Sequence, residues 1–129
     1  NMKKRFLFLV LALMLCLFVG ATALAATRTA RGNCAINNTG RNVSFSGYSE
    51  SGQTEDRIGV TVTLWEQRGS SWVSVDSKSK ELRNTDYVEV AGNKIVDGGH
   101  YYKVTALHTS TTNGSSSSYS SETAKKWIP

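Results

Sequence analysis

The chain has 129 residues, 40% of them hydrophobic, and a formal net charge of +5; at roughly 100–200 residues per domain it holds one domain, which excludes most multi-domain enzymes. Residues 1–25 carry three of the 15 basic residues and none of the 10 acidic ones, so the remainder bears 12 − 10 = +2. That remainder has one adjacent basic pair, Lys125-Lys126, and no basic stripe, which sets nucleic acid and anionic membrane aside as partners.

Residues 1–25 read as a secretory signal peptide: Lys3-Lys4-Arg5, an unbroken apolar run from Phe6 to Val19, then the small-residue step Ala23-Leu24-Ala25. As a helix the apolar run rises about 21 Å, short of the ~30 Å hydrocarbon core, so cleavage after Ala25 is expected rather than a membrane anchor. The address that follows is secreted and extracellular, with cell-wall association open. Cys16 leaves with the apolar run and Cys34 remains, so no internal disulfide is expected. A spare thiol and an intermolecular bridge both stay open for Cys34.

Residues 26–41 hold Arg28, Arg31, Asn33, Asn37, Asn38 and Gly40, with Ile36 the one large apolar side chain. They read as a disordered leader. From residue 42 to the end, short stretches alternate apolar residues with Ser or Thr between Gly, Asn and Asp clusters, the pattern of antiparallel strands. Val43 and Phe45 mark a strand over 42–51. The clearest strand carries Ile58, Val60, Val62 and Leu64 on one face and Gly59, Thr61, Thr63 and Trp65 on the other.

Arg68-Gly69-Ser70-Ser71 turns the chain back into a strand over 72–77. There Val73 and Val75 share a face, while a bulge would bury Trp72 with Val75. Residues 87–91 make a fourth strand, Gly92-Asn93 a turn, and Lys94-Ile95-Val96 a short piece before the Asp97-Gly98-Gly99 turn. Residues 100–108 follow, with Tyr102, Val104 and Ala106 inward and Tyr101, Lys103 and Thr105 outward. Asn113-Gly114 suits a type I′ hairpin turn, and a last strand runs from about 119 to 128. Six or seven strands near ten-residue spacing predict an all-β fold, a single antiparallel β-sandwich of immunoglobulin-like type over residues 42–129.

The stretch Tyr102-Lys103-Val104-Thr105-Ala106 is similar to the penultimate strand of fibronectin type III and immunoglobulin-like domains. More of the chain, residues 42–128, resembles a family of small secreted proteins of unknown function from Gram-positive bacteria. The pieces that carry this are Val43-Ser44-Phe45-Ser46-Gly47-Tyr48-Ser49, Arg57-Ile58-Gly59-Val60, Gly69-Ser70-Ser71-Trp72, and Gly99-His100-Tyr101-Tyr102-Lys103-Val104 followed by His108. The resemblance implies a fold and an address, and no functional residues.

No catalytic constellation emerges. His100 and His108 lie eight residues apart on one strand, roughly 26 Å, and cannot share a metal. Each reads as a satisfied or solvent-facing histidine. Gly47-Tyr48-Ser49-Glu50-Ser51 approaches the nucleophile elbow but ends in Ser where Gly is required. Glu55-Asp56 and Asp97 read as solvated turn residues. The chain is therefore expected to be no enzyme, with no metal and no cofactor.

Aromatic residues on polar faces give the better lead. If their strands share a sheet, Trp65 and Tyr101, with Lys103 and the flanking Thr63 and Thr105, form a stacking platform for a sugar ring or a peptide. The competing account is cross-strand packing, or coverage by the tail carrying Trp127. The leading functional expectation is a non-catalytic extracellular binding or cell-surface-associated module, with cell-wall glycan or extracellular protein as the partner. The alternatives are a structural or matrix protein that self-associates through an open, Ser/Thr-rich sheet edge and, below it, a secreted toxin or bacteriocin-like protein. Oligomeric state is left open.

Overall fold

Alternation of buried and exposed side chains builds six strands in the computed structural model, which describes residues 31–129. They are β1 (Arg31–Thr39), β2 (Asn42–Arg68), β3 (Ser71–Ile95), β4 (His100–Thr112), β5 (Ser115–Glu122) and β6 (Lys126–Ile128). Every pairing is antiparallel, so the chain is all-β, as its patterning predicts. The expected signal peptide and the first residues of the expected leader lie outside the described residues. Among the described residues no helix is long and apolar enough to cross a membrane.

The stretch read as leader is corrected over residues 31–39: it forms β1, hydrogen-bonded along β2 from Arg31↔Glu50 to Thr39↔Asn42. Its inward positions are Gly32, Cys34, Ile36 and Asn38, too small and polar to display an apolar stripe in sequence. The pairing with β2 and the packing of Cys34 and Ile36 on the core hold it.

Two further corrections concern strand continuity. The strands expected over 42–51 and 58–65 are one 27-residue strand, β2. Likewise the pieces expected over 72–77, 87–91 and 94–96 are one 25-residue strand, β3. The segment Ser51-Gly52-Gln53-Thr54 has a turn's composition because it is a bend without chain reversal: it bulges opposite the β3 stretch between Thr85 and Tyr87. Asn84, at φ 53°, takes the left-handed conformation on the β3 side of that corner. Apart from Leu82, residues 76–86 of β3 are polar, and most are exposed, so they lack the alternation that marks a half-buried strand.

The bend shifts the phase of β2. Val43, Phe45, Gly47 and Ser49 are buried before it, and Ile58, Val60, Val62 and Leu64 after it. An odd-to-even switch of this kind lets one strand serve two layers that face a common core. One layer holds β1, the first half of β2 and the second half of β3. In the other, the second half of β2 lies between the first half of β3 and β4, with β5 and β6 along the far side of β4.

Phe45, Ile58, Val60, Val62, Leu64, Tyr102 and Val104 fill the space between the layers together with Val43, Val88 and Ile128. Gly47 marks a close approach, since a Cβ there would stand 2.6 Å from Val62 Cγ1. Tyr102, Val104 and Ala106 point inward as expected. Asn113 and Gly114 have φ of 52° and 75°, as a type I′ turn requires. The strand expected over 119–128 is divided: β5 ends at Glu122, and β6 pairs separately with the start of β4.

Candidate functional site

The outward residues of the second layer form a continuous face because antiparallel partners share a side of the sheet. Trp65 stands opposite Lys103, and Thr63 opposite Thr105, so β2 and β4 bring the expected platform together. The Trp65 indole N–H donates to Thr105 Oγ1 at 2.8 Å, which fixes the half-buried ring against the sheet. Tyr101 lies one pleat along β4, opposite Trp127 of β6. Those two rings meet edge to face, 5.0 Å apart at 65°, a favourable aromatic geometry. Coverage by the tail is thus present, yet Trp127 remains 50% exposed and Tyr101 36%.

On the other flank a register shift falls between Leu64 and Trp65. It sets Trp65 opposite Ser74 and Gln67 opposite Trp72, leaving Val75 as the extra residue. The bulge is where the sequence suggested one, but its effect is corrected. Trp72 is turned to the outer face, and Val75 packs on the core. Lys103 Nζ lies 4.5 Å from the Trp72 ring centroid, and Lys125 Nζ lies 4.5 Å from that of Tyr101.

The chain's three tryptophans therefore share one face with Tyr101 and two ring-capping lysines. Trp72 and Trp127 are additions to the sequence-derived set of Trp65, Tyr101 and Lys103. Alternation alone places Trp127 outward once Ile128 is inward. The orientation of Trp72 depends on a bulge whose position periodicity does not specify.

Polar groups between the layers are occupied by structural partners. His108 is fully buried, with Nδ1 2.9 Å from Ser49 Oγ and Nε2 2.7 Å from Ser121 Oγ. Burial pushes its pKa below the ordinary histidine value. The Ser49–His108 pair has the spacing of a nucleophile and its base. However, Ser49 is 0% exposed and its hydroxyl already donates to Gly59 O at 2.8 Å, so no substrate atom reaches it.

Glu66, also buried, accepts from Arg68 Nε at 2.8 Å and from the Tyr102 hydroxyl at 3.0 Å. The Arg68 hydrogen bond holds its carboxyl below the usual range against the opposing effect of burial. Glu55 corrects its reading as a solvated turn residue: it is 2% exposed, accepts from Ser51 Oγ at 2.6 Å and is hydrogen-bonded by Thr112. Asp56 is exposed and accepts the Asn113 N–H at 2.9 Å, so the β2 bend is tied to the β4–β5 turn. Cys34 is half-buried rather than part of a free leader, and burial raises its thiol pKa. Among the described residues no group of three or more His, Cys, Asp or Glu could hold a metal ion.

A groove of about 560 Å³ is lined by Ala35, Ser46, Gly47 and Ala91 of β1, β2 and β3 in the other layer, and by Lys80 from the first half of β3. Asn33, Lys80 and Glu89 add polar and charged groups to its lining.

No protein-family model and no curated protein matches the chain, so the resemblance to a Gram-positive family gains no support there. Among solved structures, the chain is similar to CsgH of R. palustris, at 6% identity and a TM-score of 0.46 over 73% of this chain and 90% of that one. It is similar to a DUF3823 family protein from Bacteroides uniformis, at 10% identity and a TM-score of 0.48 over 78% of this chain and 56% of that one. The E. coli curli protein CsgC follows at 9% identity and a TM-score of 0.42 over 72% and 96%. Likenesses this distant bear on neither a shared activity nor a shared ligand.

Proposed function

We propose that the protein is a secreted, non-catalytic binding module that presents the Trp65–Tyr101 face to cell-wall glycan or to an extracellular protein. The gathering of Trp65, Trp72 and Trp127 on one sheet face supports this reading most strongly. Exposed aromatic area clustered in one place marks interaction surfaces more often than it serves a fold. Inside the protein, by contrast, Ser49, His108 and Glu66 have their hydrogen bonds taken up by neighbours.

Cosedimentation of the purified protein with isolated bacterial cell walls, at low and high salt, tests the proposal. Pelleting that survives salt and is lost in Trp65→Ala and Trp127→Ala is expected. Full recovery in the supernatant, or pelleting indifferent to both substitutions, sinks it.

A second reading is favoured by β5. This Ser-rich strand ends the sheet order β1-β2-β4-β5, and among the described residues no strand is hydrogen-bonded along its outer side. Such an edge is a template for pairing with another chain, which suits a self-associating matrix protein. Concentration-dependent assembly abolished by Ser120→Pro would shift weight to it, whereas a monomer at all concentrations would remove it.

A further inference from the structure

Resting on the binding-module reading above, the geometry points to a particular occupant: we infer that the aromatic face takes a linear polysaccharide whose pyranose rings carry carboxylates. The aromatic groups do not run along one strand. Trp72 stands on β3, Trp65 on β2, Tyr101 on β4 and Trp127 on β6, each strand beside the next. With about 4.8 Å between neighbouring strands, the row crosses roughly 14 Å of sheet. Gln67, not Trp65, faces Trp72, and Trp65 faces Lys103, two residues from Tyr101, so a polymer laid across the strands meets Trp72, Tyr101 and Trp127 in succession with Trp65 alongside its path.

The floor on the far side of Trp65 carries hydroxyls. Thr63 stands opposite Thr105 and Ser77, and Trp65 opposite Ser74. Hydroxyl donors and acceptors beside a half-buried ring suit a polyhydroxylated ligand, and they suit the apolar centre of a protein interface poorly.

Charge selects the class of sugar. Lys103 and Lys125 each lie 4.5 Å from a ring centroid on this face. Lys103 has one carboxylate at ion-pair distance, Glu122 at 3.5 Å, and that residue is 64% exposed at its side chain. Lys125 has none among the described residues. Lys125 is exposed, and an exposed cation–π contact is weak, so its ammonium can trade the Tyr101 ring for a carboxylate on a stacked sugar, while Lys103, 22% exposed at its side chain, offers a second, more enclosed ammonium. The freed ring face then receives the sugar. A polyol phosphate would satisfy the lysines but has no ring to stack, and a neutral glycan would stack but give Lys125 no carboxylate and Lys103 none beyond the exposed Glu122.

The test is direct binding of the purified protein to polygalacturonate and to the same polymer fully methyl-esterified, which keeps the rings and removes the charge. Binding to polygalacturonate that weakens with salt is expected, and the ester should bind roughly threefold to tenfold more weakly, the effect of one or two exposed charge contacts. Lys103→Gln with Lys125→Gln should erase that preference. Trp127→Ala should weaken binding to both polymers while melting like the parent protein.

Equal binding to the two polymers overturns the inference and leaves the aromatic module standing. Preference for a glycerol phosphate polymer also overturns it. Absence of binding to every polymer overturns the inference as well, and cosedimentation with cell walls then decides the module by itself. Binding that Trp127→Ala leaves unchanged overturns both.

Discussion

His108 and Tyr119 stack nearly parallel, with ring centroids 4.6 Å apart at 22°, at the seam where β5 comes against β1. The same two residues link the layers by hydrogen bonds. His108 joins Ser49 of β2 to Ser121 of β5, and the Tyr119 hydroxyl donates to Gly32 O of β1. Among the described residues no backbone ladder joins β5 to β1, and these side chains bridge the seam.

A buried neutral histidine at this seam makes stability depend on pH in a definite direction. Its folded pKa lies below the ordinary value of 6.5 because burial disfavours the charged ring. The unfolded chain therefore binds a proton first, and stability falls as pH drops below about 6.5 until the folded pKa is reached. Thermal melts between pH 8 and pH 5 should show this fall, and His108→Gln should flatten it. An unchanged slope in His108→Gln would assign the effect to another group.

Gly32 is required by the same seam. A Cβ there would stand 2.0 Å from Tyr48 O and 2.6 Å from His108 Nδ1, and the first of these is backbone that cannot swing aside. Gly32→Ala is expected to destabilise by about 1–3 kcal/mol, the usual cost of overpacking. Gly52→Ala, with nothing within 4 Å, is the control. Urea midpoints that move equally for both would remove the steric argument.

Tyr102 anchors the opposite end of the core. Its hydroxyl lies 3.0 Å from Glu66 Oε2 and 2.6 Å from Asp97 O, and Tyr102→Phe should cost about 1–3 kcal/mol by leaving buried acceptors short of a donor. The folded pKa of Glu66 is depressed below 4.5, first by Arg68 and also by Tyr102. Its stabilisation is thus present above the unfolded pKa and lost as pH falls through the folded one. In Tyr102→Phe the acid loss should be smaller and complete at a higher pH, because the folded pKa moves up toward the unfolded one, and a superimposable acid limb would deny the hydroxyl that part.

The β4–β5 turn offers a local test of backbone strain. Gly114 has φ 75° with open space around its Cβ position, so Gly114→Ala should cost about 1 kcal/mol through conformation alone. Asn113→Gly relaxes the neighbouring left-handed residue and should be nearly neutral. Equal losses in denaturant melts would point to side-chain contacts in place of backbone strain.

Alternation made much of the fold legible. Ile58, Val60, Val62 and Leu64, and likewise Tyr102, Val104 and Ala106, declare a buried face because every second side chain of a strand shares a side. Asn113-Gly114 declares its turn because few dipeptides tolerate two positive φ values. The same rule placed Trp65, Tyr101 and Lys103 on outward positions, and the pairing of β2 with β4 joined Trp65 to Lys103.

Other features carry no local signal. β1 has small and polar inward residues, and the middle of β3 is exposed on both faces, so neither shows the period that marks a strand. Glu55 and Asp56 look alike in sequence, but one is enclosed by Ser51 and Thr112 while the other faces solvent.

By itself, the sequence determined the all-β class, most of the inward positions and the turn at Asn113-Gly114, since each depends on residues a few positions apart. Tertiary structure alone decided that β2 and β3 run unbroken through a bend, that Trp72 turns outward at a bulge, and that Trp127 completes the aromatic face from β6. Those outcomes depend on which strands become neighbours and in what register, a property of contacts between residues far apart in the chain.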